Sequence, residues 1–326
     1  MTASVSVIIP AYRSASTIVR ALGSVAAQTV KPLEVIVVDD GSDDGTFEAA
    51  QACRPRMGGI ELVVLRQENR GAGAARNAGL QAAKGDWLAF LDADDEWLPA
   101  KLERSLAHAG GASLIAHDYI EVKNGREVYK DCMRHLTAAR DPFSALMLRG
   151  FIPSITVLAR RADVLAVGGF EESLPAAQDY DLWLKLLQLP QARLIMFPEA
   201  LARYTVSGTG ITSKVEQRRQ CSLTVLSRHA KRLESRALRL TLTRALIIQW
   251  EAISAHRQRG DYLGVLGVLL LTPLVLGEGL FILYGAPLAL AWGLSLFVAY
   301  HLYSYGYYAE KVHTFGTFFL RRLMGS

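Results

Sequence analysis

Four short apolar runs set the frame of this chain: Val5-Ser6-Val7-Ile8-Ile9-Pro10, Val35-Ile36-Val37-Val38, Leu62-Val63-Val64-Leu65 and Trp87-Leu88-Ala89-Phe90-Leu91. Such short, β-branched runs read as strands buried on both faces, since a half-exposed strand alternates apolar with polar residues. Between them the spacing changes. Ile18, Leu22, Val25 and Ala26 recur at helical intervals over residues 16–29, with Ser14 or Ser16 as the expected cap. Shorter helices are expected over 48–53 and 71–83, the latter opened by small residues. Strand and helix in alternation predict an open α/β sheet with right-handed crossovers. Ligands of such sheets bind beyond the carboxyl ends of the strands. Acidic residues stand at two of those ends, Asp39-Asp40 and Asp92-Ala93-Asp94-Asp95.

Several function classes drop out at this point. A dinucleotide-binding domain needs GxGxxG directly after the first strand, and here Pro10-Ala11-Tyr12-Arg13 follows it. Gly71-Ala72-Gly73-Ala74-Ala75-Arg76 lacks the third glycine, and no Walker motif is present. Cys53, Cys132 and Cys221 are far apart and form no CxxC, so neither a disulfide framework nor a zinc ribbon is supported.

The acidic clusters admit two readings each. Three carboxylates as close as Asp92, Asp94 and Asp95 repel one another and raise each other's pKa. A divalent cation removes that penalty, and Mg²⁺ or Mn²⁺ suits an all-oxygen site shared with a diphosphate. The plain alternative is an acidic turn capping a helix that begins near Pro99. Asp40 is placed to accept a base N–H while Tyr12 stacks on the ring, yet Asp-Asp-Gly is also an ordinary turn signal. Arg76 is suited to a phosphate, and equally to an unremarkable surface position.

Taken together, several motifs resemble glycosyltransferase family 2. They are the segment from Val5 to Tyr12, Val-Val-Asp-Asp-Gly-Ser, Gly73-Ala74-Ala75-Arg76-Asn77-Ala78-Gly79, and Phe90-Leu91-Asp92-Ala93-Asp94-Asp95. Val167-Gly168-Gly169-Phe170 and Gln178-Asp179-Tyr180-Asp181-Leu182-Trp183 complete the series, which runs from about Val5 to Ser213. The resemblance implies a GT-A fold (a Rossmann-like nucleotide-diphospho-sugar transferase domain), a nucleotide-sugar donor with a UDP-sugar favoured, Mg²⁺ or Mn²⁺, and inversion at the anomeric carbon. By the resemblance, Pro10, Tyr12, Asp40, Arg76, Asp92 and Ala93 lie on the donor side. Asp92 and Asp94 look like the DxD pair, with Asp94 or Asp95 nearest the metal. Asp179 looks like the catalytic base, and Asp181, two residues on, reads as structural. The implied acceptor is a saccharide or lipid-linked hydroxyl in polysaccharide or glycolipid synthesis. Two departures stand out: Gln178 replaces the usual glutamate beside the base, and Tyr204-Thr205-Val206-Ser207 lacks the arginine and histidine that follow the tyrosine in many relatives, with Ser207 in place of a group that touches the diphosphate. A nucleotidyl- or phosphoryltransferase and an inactive binding relative are the rival classes.

The charge distribution points elsewhere for the tail. Residues 1–213 carry net −3, residues 214–259 net +8, and the remainder net zero. Basic charge concentrated before an apolar segment suggests an anionic membrane surface and argues against nucleic acid. Residues 263–283 and 286–306 each have the length of a membrane span. Flanking Arg257, Arg259, Lys311, Arg321 and Arg322 predict a hairpin with both ends cytoplasmic. Pro273 and Glu278 weigh against the first span, leaving surface-lying helices or an apolar dimer face as alternatives. The expected organisation is a catalytic domain over 1–213, a basic helical region over 214–260 and apolar helices over 261–326. With no signal-peptide pattern at the start, the expected location is the cytoplasmic face of the inner membrane, held there by integral C-terminal helices.

Overall fold

The computed structural model of the chain describes residues 3–137, 141–206, 214–230, 232 and 237–284. Its contacts divide into two units, Met1–Val225 and Leu226–Ser326.

In the first unit the order is β1 (Val5–Ala11), α1 (Ile18–Ala26), β2 (Glu34–Asp40), α2 (Thr46–Gln51), β3 (Glu61–Gln67), α3 (Ala72–Ala82), β4 (Trp87–Phe90) and β5 (Glu96–Trp97). Then follow α4 (Lys101–Leu106), β6 (Leu114–Lys123), β7 (Arg126–Lys130), α5 (Met133–Thr137), α6 (Pro142–Leu148), β8 (Leu158–Arg160), α7 (Arg161–Ala166), α8 (Gln178–Leu186), β9 (Leu194–Thr205) and α9 (Val215–His229). One sheet takes all nine strands in the order β3-β2-β1-β4-β8-β6-β9-β5, with β7 paired to β6. The four strands read from the sequence make its parallel half: β1 pairs with β2 and β4, and β2 with β3. The sheet then turns mixed, because β8 runs antiparallel to both β4 and β6.

Burial explains the legibility of that half. Every residue of β1, β2 and β4 is buried, and each buried Val, Ile or Leu contributes about 1.5–3 kcal/mol. Helix α1 packs Ile18, Ala21, Leu22 and Val25 inward, as their spacing predicts. Its cap differs from expectation. No side chain caps it; the Ser14 carbonyl accepts the Ile18 N–H, and the Ser14 N–H is taken by Thr46 Oγ1.

The second unit contains α10 (Ala237–Gln258) and α11 (Tyr262–Tyr284). Gln249 of α10 is buried and donates to Thr272 Oγ1 of α11 at 3.0 Å. Asp261 holds the turn between them, accepting the Gly264 N–H at 2.9 Å and lying 2.7 Å from His256 Nδ1. Among the described residues no helix is long and apolar enough to cross a membrane. That overturns the expected integral placement at the cytoplasmic face of a membrane. Among the described residues of the run at 263–283, Thr272 makes that buried contact with α10, while Leu263, Leu266 and Leu270 are exposed. The second expected span, 286–306, and Ser207 lie outside the described residues.

Candidate active site

Ala11 lies opposite Asp39 in the β1–β2 ladder, so Tyr12 and Asp40 leave neighbouring strand ends. Pro10 is paired with Val38 and buried. Tyr12 is 47% exposed, and the Arg13 guanidinium stands 5.4 Å from its ring centroid. Asp40 is buried and heavily engaged. Its Oδ1 accepts from Gln67 Nε2 at 2.7 Å and the Arg70 N–H at 2.9 Å, and its Oδ2 accepts the Gly71 N–H at 2.8 Å. A carboxylate offers about four acceptor positions, so one remains for a further donor. Asp39 turns the other way, to Arg66 Nε at 3.2 Å and the Ser42 N–H at 3.2 Å. Gly41 is obligatory between these turns: its φ is +75°, and a Cβ there would meet Asn69 N at 2.8 Å.

At the end of β4 the pattern changes. Asp92 pairs with Arg76 Nη2 at 2.6 Å; the Arg76 side chain is 8% exposed and that of Asp92 27%. The Arg76 guanidinium lies 5.5 Å from the centroid of the Phe170 ring. Its Nε is buried and has no partner among the described residues. Ala93 is buried. The Asp94 carbonyl accepts from Arg20 Nη2 at 2.6 Å, while burial, with the charge of Asp92, pushes the Asp94 carboxyl up to about 6. Asp95 Oδ1 accepts the Thr205 N–H at 2.6 Å, and Oδ2 is buried without a partner among the described residues. Burial first, then Asp92 and Asp94, hold Asp95 well above the usual carboxylate range. The triplet does not cap α4, whose N-cap position is Ala100.

The third acidic position opens α8. Ala177, the residue before it, has φ +60°, a left-handed conformation that costs a non-glycine residue about 1–2 kcal/mol. Asp179 Oδ1 accepts the Tyr180 N–H at 2.8 Å. Burial raises the Asp179 carboxyl, Arg76 lowers it and Asp92 raises it, which places Asp179 within electrostatic reach of the Arg76–Asp92 pair. Tyr180 Oη donates to the Met147 carbonyl at 2.8 Å and Trp183 Nε1 to the Ile152 carbonyl at 3.2 Å, fixing α8 to residues 147–152. Asp181 is fully buried and pairs with Lys185 at 2.7 Å, the structural part read from its spacing.

Residues 6–156 match the family model described as Glycosyl transferase family 2. An amylovoran biosynthesis glycosyltransferase of Erwinia amylovora, AmsB, is 32% identical over 213 residues, covering 62% of this chain and 69% of that protein. The chain belongs to glycosyltransferase family 2. An uncharacterized glycosyltransferase of Rickettsia bellii is 36% identical over 195 residues, 57% of this chain but only 27% of the relative. Crystal structures extend the likeness to the fold. S. aureus TarS 1–349 in complex with UDP-GlcNAc matches with TM-score 0.65 at 22% identity, over 93% of this chain and 92% of that one. The Pyrobaculum calidifontis mannosyltransferase PcManGT, with GDP-Man and Mn²⁺, matches with TM-score 0.61 at 20% identity, over 91% and 85%.

In this glycosyltransferase the site residues fall into two groups. Arg76, Asp92, Ala93, Asp94, Asp95 and Asp179 gather around one buried guanidinium and its strand end. Pro10, Tyr12 and Asp40 stand at the ends of β1 and β2 and reach the first group through the start of α3, where Gly73 packs beside Glu171, Glu172 and Gln178. Sequence reasoning passed over Arg20, Gln67, Arg70 and Thr205, and it named Phe170 only as part of a motif, without a role. Arg20, Gln67 and Arg70 sit in segments with no chemical signature of their own, and Thr205 acts through its backbone.

Proposed function

We propose that this enzyme moves a sugar from a nucleoside-diphosphate donor, UDP-linked by preference, to an acceptor hydroxyl with inversion at the anomeric carbon. The observation that carries the reading is the buried Arg76–Asp92 pair after β4, whose charges act on Asp179 at the start of α8. Support comes from TarS, solved with UDP-GlcNAc, from the GDP-Man complex of PcManGT, and from AmsB, named for amylovoran biosynthesis. A saccharide acceptor in cell-surface polysaccharide synthesis, lipid-linked or free, follows from the same relatives.

The residues divide the work. Tyr12 offers an exposed ring to the base, and the remaining acceptor position of Asp40 takes its ring N–H. Arg76 meets the diphosphate with the N–H groups that Asp92 leaves unused. Asp179 takes the acceptor's hydroxyl proton as that oxygen forms its bond to the anomeric carbon. The carbon–oxygen bond to the β-phosphate breaks, and its electron pair leaves on the nucleoside diphosphate. A general base placed in this way is worth about 10²–10⁴-fold.

The acids also suit a divalent cation. Asp94 and Asp95 are crowded and buried enough to resist ionisation, and Asp95 Oδ2 is an orphaned acceptor. Among the described residues no three His, Cys, Asp or Glu side chains group into a full cage. This fits Mg²⁺ or Mn²⁺, which takes one or two carboxylates and completes its shell with phosphate oxygens and water. Asp92 and Asp94 would hold it, with Asp95 behind them. When bound, such an ion acts as a Lewis acid toward the departing diphosphate.

The test is nucleoside diphosphate release from a panel of UDP- and GDP-sugars with Mn²⁺, for wild type and Asp179→Asn. Transfer falls by about 10²–10⁴-fold in the variant while UDP binding by calorimetry is unchanged. Release of pyrophosphate or monophosphate instead, or an Asp179→Asn enzyme with wild-type turnover, defeats the proposal.

A further inference from the structure

Arg76 is held loosely for a residue so central. One hydrogen bond to Asp92 fixes Nη2, Nε has no partner among the described residues, and the remaining constraint is the face of Phe170. The orientation of the guanidinium therefore depends on the placing of that ring. Phe170 is 3% exposed, meets Phe90 edge-on at 5.2 Å, and meets Trp183 of α8 at 6.3 Å. It thus touches the strand that ends at Asp92, the arginine and the helix that carries Asp179.

Phe170 belongs to a loop, and one side chain fastens its backbone. Asn77 Oδ1 accepts the Phe170 N–H at 2.9 Å, and Asn77 Nδ2 donates to the Phe170 carbonyl at 2.9 Å. The same Nδ2 donates to Glu172 Oε1 at 3.0 Å, and Glu172 also pairs with Arg70 at 2.7 Å. Only a primary amide both accepts and donates in this way. The loop is shaped to admit it: Gly169 has φ +71°, and a Cβ there would meet Asn77 Oδ1 at 2.7 Å. Asn77 follows Arg76 on α3, so one turn of helix supplies both the cation and the clamp for the ring beneath it.

We infer that Asn77 is a positioning residue for transfer: by fixing the backbone of Phe170 it sets the ring that orients Arg76 between Asp92 and Asp179. The inference rests on the reading of the site given above. Asn77 acts through Arg76, which meets the diphosphate in that reading, so loss of Asn77 should lower turnover more than it weakens nucleotide binding. A misplacement of about 1 Å in such a constellation costs on the order of 10²-fold.

Two variants test it. Asn77→Asp keeps the shape and the bond from the Phe170 N–H but loses both donated bonds and faces the Glu172 carboxylate. Asn77→Leu loses all three. The first readout is the Arg76 Nε–H resonance, assigned by its loss in Arg76→Lys and placed by the ring current of Phe170. It moves in both Asn77 variants toward its position in Phe170→Leu. The second is turnover at saturating donor, which falls about 10- to 100-fold, more than UDP affinity does, and which Glu172→Gln partly restores in the Asn77→Asp background by removing the facing charge. An unmoved Arg76 resonance in a folded Asn77→Asp protein overturns the inference, as does a turnover loss that only tracks a lower melting temperature. Should Asn77→Leu not fold, Asn77→Asp decides alone. Failure of the functional reading shows separately, as wild-type turnover in Asp179→Asn, and leaves the resonance test intact.

Discussion

At the end of β2, Asp39 and Asp40 accept hydrogen bonds from backbone N–H groups and, for Asp40, from Gln67, while Arg66 forms an ion pair with Asp39. At the end of β4, Asp92 pairs with Arg76, Asp95 accepts one backbone N–H, and Asp94 and Asp95 are raised by burial and by neighbouring carboxylates against a weaker pull from Arg20. The two turns are alike in sequence, both being acidic runs after a buried strand. They differ in how much of their charge the fold has already satisfied. A carboxylate given several donors is a finished part of the framework, a base-reading edge held in one pose. A carboxylate denied them resists ionisation and keeps its oxygens open for something that arrives later. The same contrast separates Asp181, closed off by Lys185, from Asp179, two residues away and raised by burial.

The contrast predicts which losses hurt chemistry and which hurt stability. Arg76→Met removes the shared cation and should lower turnover by about 10²–10³-fold, read as nucleoside diphosphate release, with a much smaller change in melting temperature. A variant that unfolds before it loses activity would put Arg76 in the framework group. Asp40→Ala should do the reverse. It strands the Arg70 and Gly71 N–H groups, at about 1–3 kcal/mol for each that stays buried, and urea unfolding measures the loss directly. An Asp40→Ala protein as stable as wild type would erase the distinction between the two turns.

A smaller effect comes from Lys101, which is fully buried. It donates to the Val157 carbonyl at 3.1 Å and lies 4.1 Å from the Trp97 ring centroid, and burial lowers its pKa to about 7. The unfolded chain keeps that proton up to about pH 10. Between about pH 7 and pH 10 the unfolded state therefore binds more protons, and stability should rise with pH, levelling off below about 7. Lys101→Met removes this slope and stabilises the protein at neutral pH by about 1–3 kcal/mol, as denaturant titrations at several pH values will show. The smallest change expected is Ala177→Gly, which relieves a left-handed alanine and gains up to about 1 kcal/mol in thermal unfolding. A loss there would mean that the strain before Asp179 is compensated by contacts of the Ala177 methyl.

Much of this molecule was written into local patterns. Strands β1, β2 and β4 were legible because both faces of a central strand must be apolar, β3 at the sheet edge because its run is β-branched, and the acidic turns because they interrupt those runs at fixed points. The mixed half, β5 to β9, was not read: its strands are short, as in β5 and β8, or partly exposed, as in β6 and β9, and their pairing joins residues far apart in sequence. The apolar tail misled because a 21-residue greasy run has the same composition whether its neighbour is lipid or the polar-studded α10. What the residues alone determined was the sheet's core and the list of acids at its edge, since periodicity and burial act over a few residues. Which of those acids is satisfied and which is left short of donors, and that Asn77 and Phe170 stand behind Arg76, was decided only when distant segments packed together, because hydrogen-bond partners and electric fields belong to positions in space and not to positions along the chain.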